Sequence, residues 1–357
     1  MKDSYFGRFP KKYNVRGCNM TFDRTLRCKW AALLVGVTLF VNCLASAAEF
    51  QPTAQDRFVP KEAKAEVIWN DGDFTEGPTV TAYGDILFSD IGNRIMRFEP
   101  KSGEVSVWRK NSGKTNGLMF DQQGRLIACE GAAGGNRRIS ITGQDGKVRT
   151  LARSWQGKRF NSPNDLAIDS AGRVYFTDPR YGGDEPREIP FEGVFRVDPD
   201  GTVTLVTRDL QKPNGILVSI DGKHLFVADN NPGKNRHLVS FAITKGGKLA
   251  GKKILFDFGT GRGIDGMTLD RDGNIYATAG SGAAAGIYVF NPEGKHLAMI
   301  PTPGDPTNCV FGIGRDAGTL YITAAGPKPT EKGQERRYAL YRVRLKSGGH
   351  HIFPKAK

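Results

Sequence analysis

Six polar residues recur ahead of apolar runs in this chain: Glu76, Asn116, Asn164, Asn214, Asp265 and Asn308. The first five each stand eight residues before a glycine, respectively Gly84, Gly124, Gly172, Gly222 and Gly273, and the sixth stands ten before Gly318. Their side chains supply carboxylate and amide oxygens, and neither His nor Cys occupies a matching place. Two carboxylates and four amides brought together suit one hard divalent cation, calcium foremost, with zinc, manganese or magnesium as alternatives. A single Asn-Gly or Asp-Gly step is equally well explained as a turn former. Six at equivalent positions favour a shared site.

The elements that position them follow from the same repeat. The turn glycines lie 40, 48, 50, 51 and 45 residues apart, the period expected when one four-stranded sheet is repeated around an axis. Within the first repeat, residues 78–82, 86–89, 94–98 and 104–108 alternate apolar and polar side chains between Gly turns, which predicts strands. No segment carries a helical period. The expectation is an all-β, six-bladed propeller of four-stranded blades over residues 49–357. The sixth blade lacks sequence for its last strand, and Ala65 to Trp69 is predicted to supply it, pairing the two ends of the chain and removing an exposed edge. In that geometry the six polar residues ring one mouth of the central channel. The second strands return to the same mouth carrying Asp90, Glu130, Asp178 and Asp229, either as a second oxygen layer or as braces for loops.

Residues 1–48 read as a secretory signal segment. Basic residues from Lys11 to Lys29 precede an apolar run from Trp30 to Leu44, and Ala45-Ser46-Ala47-Ala48 follows. The apolar run is short for a membrane span, so an exported protein, periplasmic or secreted, with no stable membrane insertion after processing is expected. The segment holds eight Lys/Arg and two Asp/Glu, so the net charge of +14 falls to about +8 without it. The remaining basic residues are scattered, which argues against a nucleic-acid surface. Cys129 and Cys309 would remain, in non-neighbouring blades where a disulfide is not expected. The five histidines form no zinc motif and no Ser-His pair.

Four motifs in order carry a family resemblance: Glu76-Gly77-Pro78, Ser162-Pro163-Asn164-Asp165, Pro213-Asn214-Gly215 and Asp265-Gly266-Met267. Together they resemble the senescence marker protein (regucalcin) and gluconolactonase family. Cys129-Glu130 and the run Phe176 to Gly182 are most similar to its bacterial gluconolactonases. The resemblance implies a propeller that hydrolyses sugar lactones with one divalent cation. Glu76, Asn214 and Asp265 are then ligands, Asn164 touches the metal or the substrate, and Asn116 lines the substrate pocket. Asp265 is also the candidate catalytic base. The sequence departs from the family at Gly131 to Gly135, which lacks a His, and at Arg180, where a second Pro is common. A non-enzymatic calcium-binding propeller that holds a ligand or protein is the alternative reading, since a fold does not fix a function.

Overall fold

Alternating side chains separated by left-handed glycine turns give antiparallel hairpins throughout the described residues. Gly84, Gly124, Gly172, Gly222 and Gly273 all have φ between 70° and 98°, a region that costs glycine little. The computed structural model describes residues 51–327 and 335–352. The secretory segment expected at residues 1–48 lies outside the described residues. Among the described residues no helix is long and apolar enough to cross a membrane.

Six four-stranded antiparallel sheets follow one another. The first comprises Thr75–Val80, Ile86–Asp90, Arg94–Glu99 and Glu104–Lys110. Later blades begin at Thr115–Phe120, Leu166–Ile168, Pro213–Val218, Met267–Leu269 and Pro306–Phe311. The last blade takes its outermost strand from the N-terminal side: Glu66–Gly72 pairs antiparallel with Tyr338–Arg344. The six-bladed propeller and its closure by the N-terminal strand are therefore as expected.

The first strand of the first blade starts earlier than its alternation predicts, at Thr75 rather than Pro78. Register shifts fall between Glu76 and Thr79, Thr115 and Leu118, Pro213 and Ile216, and Pro306 and Asn308. Such bulges break simple alternation and re-aim side chains. Here they fall at or beside the ring residues.

Apolar faces of neighbouring blades pack on one another. Phe160, Phe176 and Phe195 share one cluster with Ile127 and Ile139 of the preceding blade, and Phe58 of the short helix Gln55–Phe58 joins Tyr276 and Phe311 between the last two blades. The C-terminal segment lies over the far ends of the innermost strands. His350 N donates to the Leu269 carbonyl at 3.0 Å and Arg271 N to the Gly348 carbonyl at 2.9 Å. His350, His351 and Ile352 line a cavity of about 80 Å³ that also reaches Asp165, Asn308 and Cys309.

Candidate active site

Hydrogen bonds between neighbouring blades run the whole way round the ring. Ser89 Oγ donates to the Asn116 carbonyl at 2.7 Å, Gly117 N to Asn164 O at 2.7 Å, and the Ile216 amide to the Asp165 carboxylate. Gly215 N then donates to Asp265 O and Gly266 N to Thr307 O, each at 2.7 Å, and Thr307 Oγ1 closes the circuit on Thr75 O at 2.8 Å. The glycine after the polar residue is required by this contact. A Cβ on Gly77 would stand 2.0 Å from the Asn116 carbonyl oxygen, and one on Gly215 would stand 2.4 Å from that of Asp265. These Asn-Gly and Asp-Gly steps are therefore not turns; they let one strand approach the next.

Glu76 is 4% exposed and accepts one hydrogen bond, from Gly77 N at 3.1 Å. Burial raises its pKa well above the usual carboxylate range, and the charges of Asp265 and Asp165 push in the same direction. Asp265 is raised by burial against the opposing pull of Arg262 and Asn214. Its Oδ1 accepts from Asn214 Nδ2 at 2.7 Å and its Oδ2 from Arg262 at 2.7 Å. Asn214 Nδ2 also lies 3.0 Å from the Tyr181 hydroxyl. Tyr181, Lys212, Asn214, Asn230, Arg262 and Asp265 line a cavity of about 370 Å³, together with Arg236.

The other ring residues divide by what they touch. Asn116 Oδ1 is buried with no hydrogen-bond partner, and the half-buried Asn164 side chain makes no hydrogen bond among the described residues. Neither lines the cavity beside Asp265. Asn308 turns inward, its Nδ2 reaching Asp165 Oδ2 at 3.5 Å from a distant blade. Asp165 is buried, and desolvation pushes it up to about 7.

The acids on the second strands brace loops. Asp90 Oδ1 accepts from Asp73 N and Phe74 N at 2.9 Å each, Asp178 accepts from Asn161 N and Ser162 N at 2.7 Å each, and Asp229 Oδ1 accepts from Gln211 N at 2.9 Å and Lys212 N at 3.0 Å. Each holds the loop that leads into the innermost strand of its own blade. Glu130 is bound by Arg138 at 2.8 Å and by Asn136. They form no second oxygen layer for a ligand. Arg180 is likewise a brace, donating to the carbonyls of Asn161, Gly183 and Glu185, which presents the adjacent Tyr181.

The paired carboxylates test the cation reading. Among the described residues no three His, Cys, Asp or Glu side chains group as a metal site; the set here is two carboxylates and an amide. A buried acid, Glu76, in the field of the half-buried Asp265, with the orphaned oxygen of Asn116 nearby in the ring, fits a hard cation by donor chemistry. Cys129 and Cys309 are both free and buried, and burial raises both thiols, which suits packed core groups.

The pattern that describes the SMP-30/Gluconolactonase/LRE-like region matches residues 74–326. The chain belongs to this family. It is 32% identical to a gluconolactonase of Zymomonas mobilis over 76% of this chain and 81% of that one. A pentonolactonase of Haloferax volcanii is 25% identical, over 65% and 74%. A solved gluconolactonase structure from Xanthomonas campestris superposes with a TM-score of 0.69 at 28% identity, covering 80% of this chain and 90% of that one. Site residues that the repeat did not reveal are Asp165, Tyr181, Lys212, Arg236 and Arg262. Asp165 and Tyr181 stand inside motifs of the resemblance; the other three carry no sequence signal of their own.

Proposed function

We propose that the protein is an exported, divalent-cation-dependent hydrolase of sugar lactones, working at the ringed end of the propeller channel. The observation that carries this reading is the pair of acids, Glu76 buried and Asp265 half-buried, with Asn214 bound to Asp265 and a cavity beside it. Family membership and relatives that are lactonases by name support it. Glu76, Asn214 and Asp265 would hold the cation, Asn214 through its amide oxygen, with Asn164 in reach of it or of substrate. A cation held there supplies a Lewis acid for the lactone carbonyl.

The chain's own residues do the rest. Asp265 takes a proton from the water whose oxygen bonds to the carbonyl carbon, the bond from that carbon to the ring oxygen breaks, and the released oxygen receives a proton. Arg262 pulls the Asp265 pKa down against the effect of burial and holds the carboxylate in place. Asn116 and Asn164, whose side chains have hydrogen-bonding capacity to spare, would bind substrate from the ring itself and not from the cavity beside Asp265. The test is a panel of aldonolactones with the purified protein, after chelation and after each divalent metal is restored, beside calorimetric titration of the metals. Metal-dependent turnover supports the proposal. Metal binding without turnover of any lactone overturns it in favour of the non-enzymatic propeller.

A further inference from the structure

Three of the side chains lining the 370 Å³ cavity are cationic, Lys212, Arg236 and Arg262, against the single carboxylate of Asp265. Two of the three are already engaged. Arg262 is paired with Asp265 at 2.7 Å. Lys212 Nζ donates to the Arg180 carbonyl at 2.8 Å, lies 3.5 Å from Glu192 and sits over the Tyr181 ring. Glu192 in turn is held more closely by Arg187, at 2.6 Å.

Arg236 differs. Only its Nη1 is used, donating to the carbonyls of Thr260, at 2.8 Å, and Gly261. Its Nε and Nη2 make no hydrogen bond, and it forms no ion pair, among the described residues. Of the two acids paired across from the neighbouring His237, Asp229 is occupied by the amides of Gln211 and Lys212, and Asp257 by Asn235 at 2.7 Å, with His237 at 3.7 Å. The stem of Arg236 is seated, not loose: it crosses Gly263, where a Cβ would stand 2.7 Å from Arg236 Cβ and 3.0 Å from its Cδ. A guanidinium anchored along one edge, with its other donors open beside a cavity, is suited to a carboxylate or phosphate.

We infer that this cavity selects lactones bearing a second, anionic group, a carboxylate or a phosphate, which Arg236 binds while the lactone carbonyl faces Asp265. The inference rests on the lactone-hydrolase reading above. An uncharged polyol is served by amides and hydroxyls, and surplus cations in its site must be desolvated with nothing to offset them. The cavity volume falls within the range of small-molecule sites, about 300–1,000 Å³.

The experiment compares kcat/KM of the full chain on an uncharged hexonolactone and on hexonolactones carrying a terminal carboxylate or a terminal phosphate. The expected result is a preference of about tenfold for one of the anionic substrates, the two arms identifying which. That ratio should fall about tenfold in Arg236→Met and return in Arg236→Lys. A ratio of one or below, or one that Arg236→Met leaves unmoved, overturns the inference while leaving the hydrolase standing. If no lactone is turned over, the hydrolase reading fails, and calorimetry with the ring-opened acids decides the anion site. Tighter binding of the dianionic acid than of the monoanionic one, lost in Arg236→Met, keeps it; equal binding removes it.

Discussion

Asp265 carries three relations at once: a like charge in Glu76, an amide in Asn214 and a guanidinium in Arg262. Replacing Asp265 by Asn keeps its size and removes its basicity and charge. We expect kcat to fall by about 10²–10⁴-fold, with the thermal transition nearly unmoved because the Arg262 pair is partly solvated. Turnover and melting measured on one preparation check both halves. Asp178 is a residue of the opposite kind, acting on the fold and not on substrate. Asp178→Ala leaves the Asn161 and Ser162 amides unsatisfied, at a cost of about 1–3 kcal/mol, read from urea unfolding. Burial pushes Asp178 up to about 7, so the native state keeps a proton that the unfolded chain releases near pH 4. Its contribution to stability is thus greatest below about pH 4 and declines as pH rises to about 7. Unfolding free energies across that window should show a downward slope that Asp178→Asn flattens.

At the scale of the element, the innermost strand explains both what is legible in the sequence and what is not. Its punctuation is local: a polar residue, in four of the six blades a glycine that admits the neighbouring strand, and in five a left-handed turn glycine. The blades and their ring can therefore be read from spacing alone. Gly266 shows how strict the contact is, since a Cβ there would lie 2.0 Å from Asn308 Cγ. Gly266→Ala is expected to cost about 1–3 kcal/mol and to displace Asp265 next to it, lowering stability and activity together. Spacing does not reveal contacts made between repeats by unrepeated residues. Arg262 matters only because it folds back on Asp265, and Tyr181 only because the buried Arg180 brace presents it to Asn214. The inward turn of Asn308 has the same origin, being set by Asp165 of a distant blade.

At the scale of the molecule, the ring of blades is held shut by a single strand. Trp69 of that strand packs edge-on against Phe88 of the first blade, centroids 5.6 Å apart, beneath Arg94. Trp69→Ala should cost about 2 kcal/mol and should raise hydrogen exchange in Tyr338–Arg344 before exchange elsewhere. The other end of the chain has a kinetic meaning. With His350, His351 and Ile352 across the far ends of the innermost strands, the cavity beside Asp265 is approached from the ringed end. Whatever acid is formed must leave through the opening by which the next lactone enters. Entry and exit cannot overlap, so the acid should inhibit competitively against its own lactone, and progress curves should bend earlier than depletion of substrate alone requires.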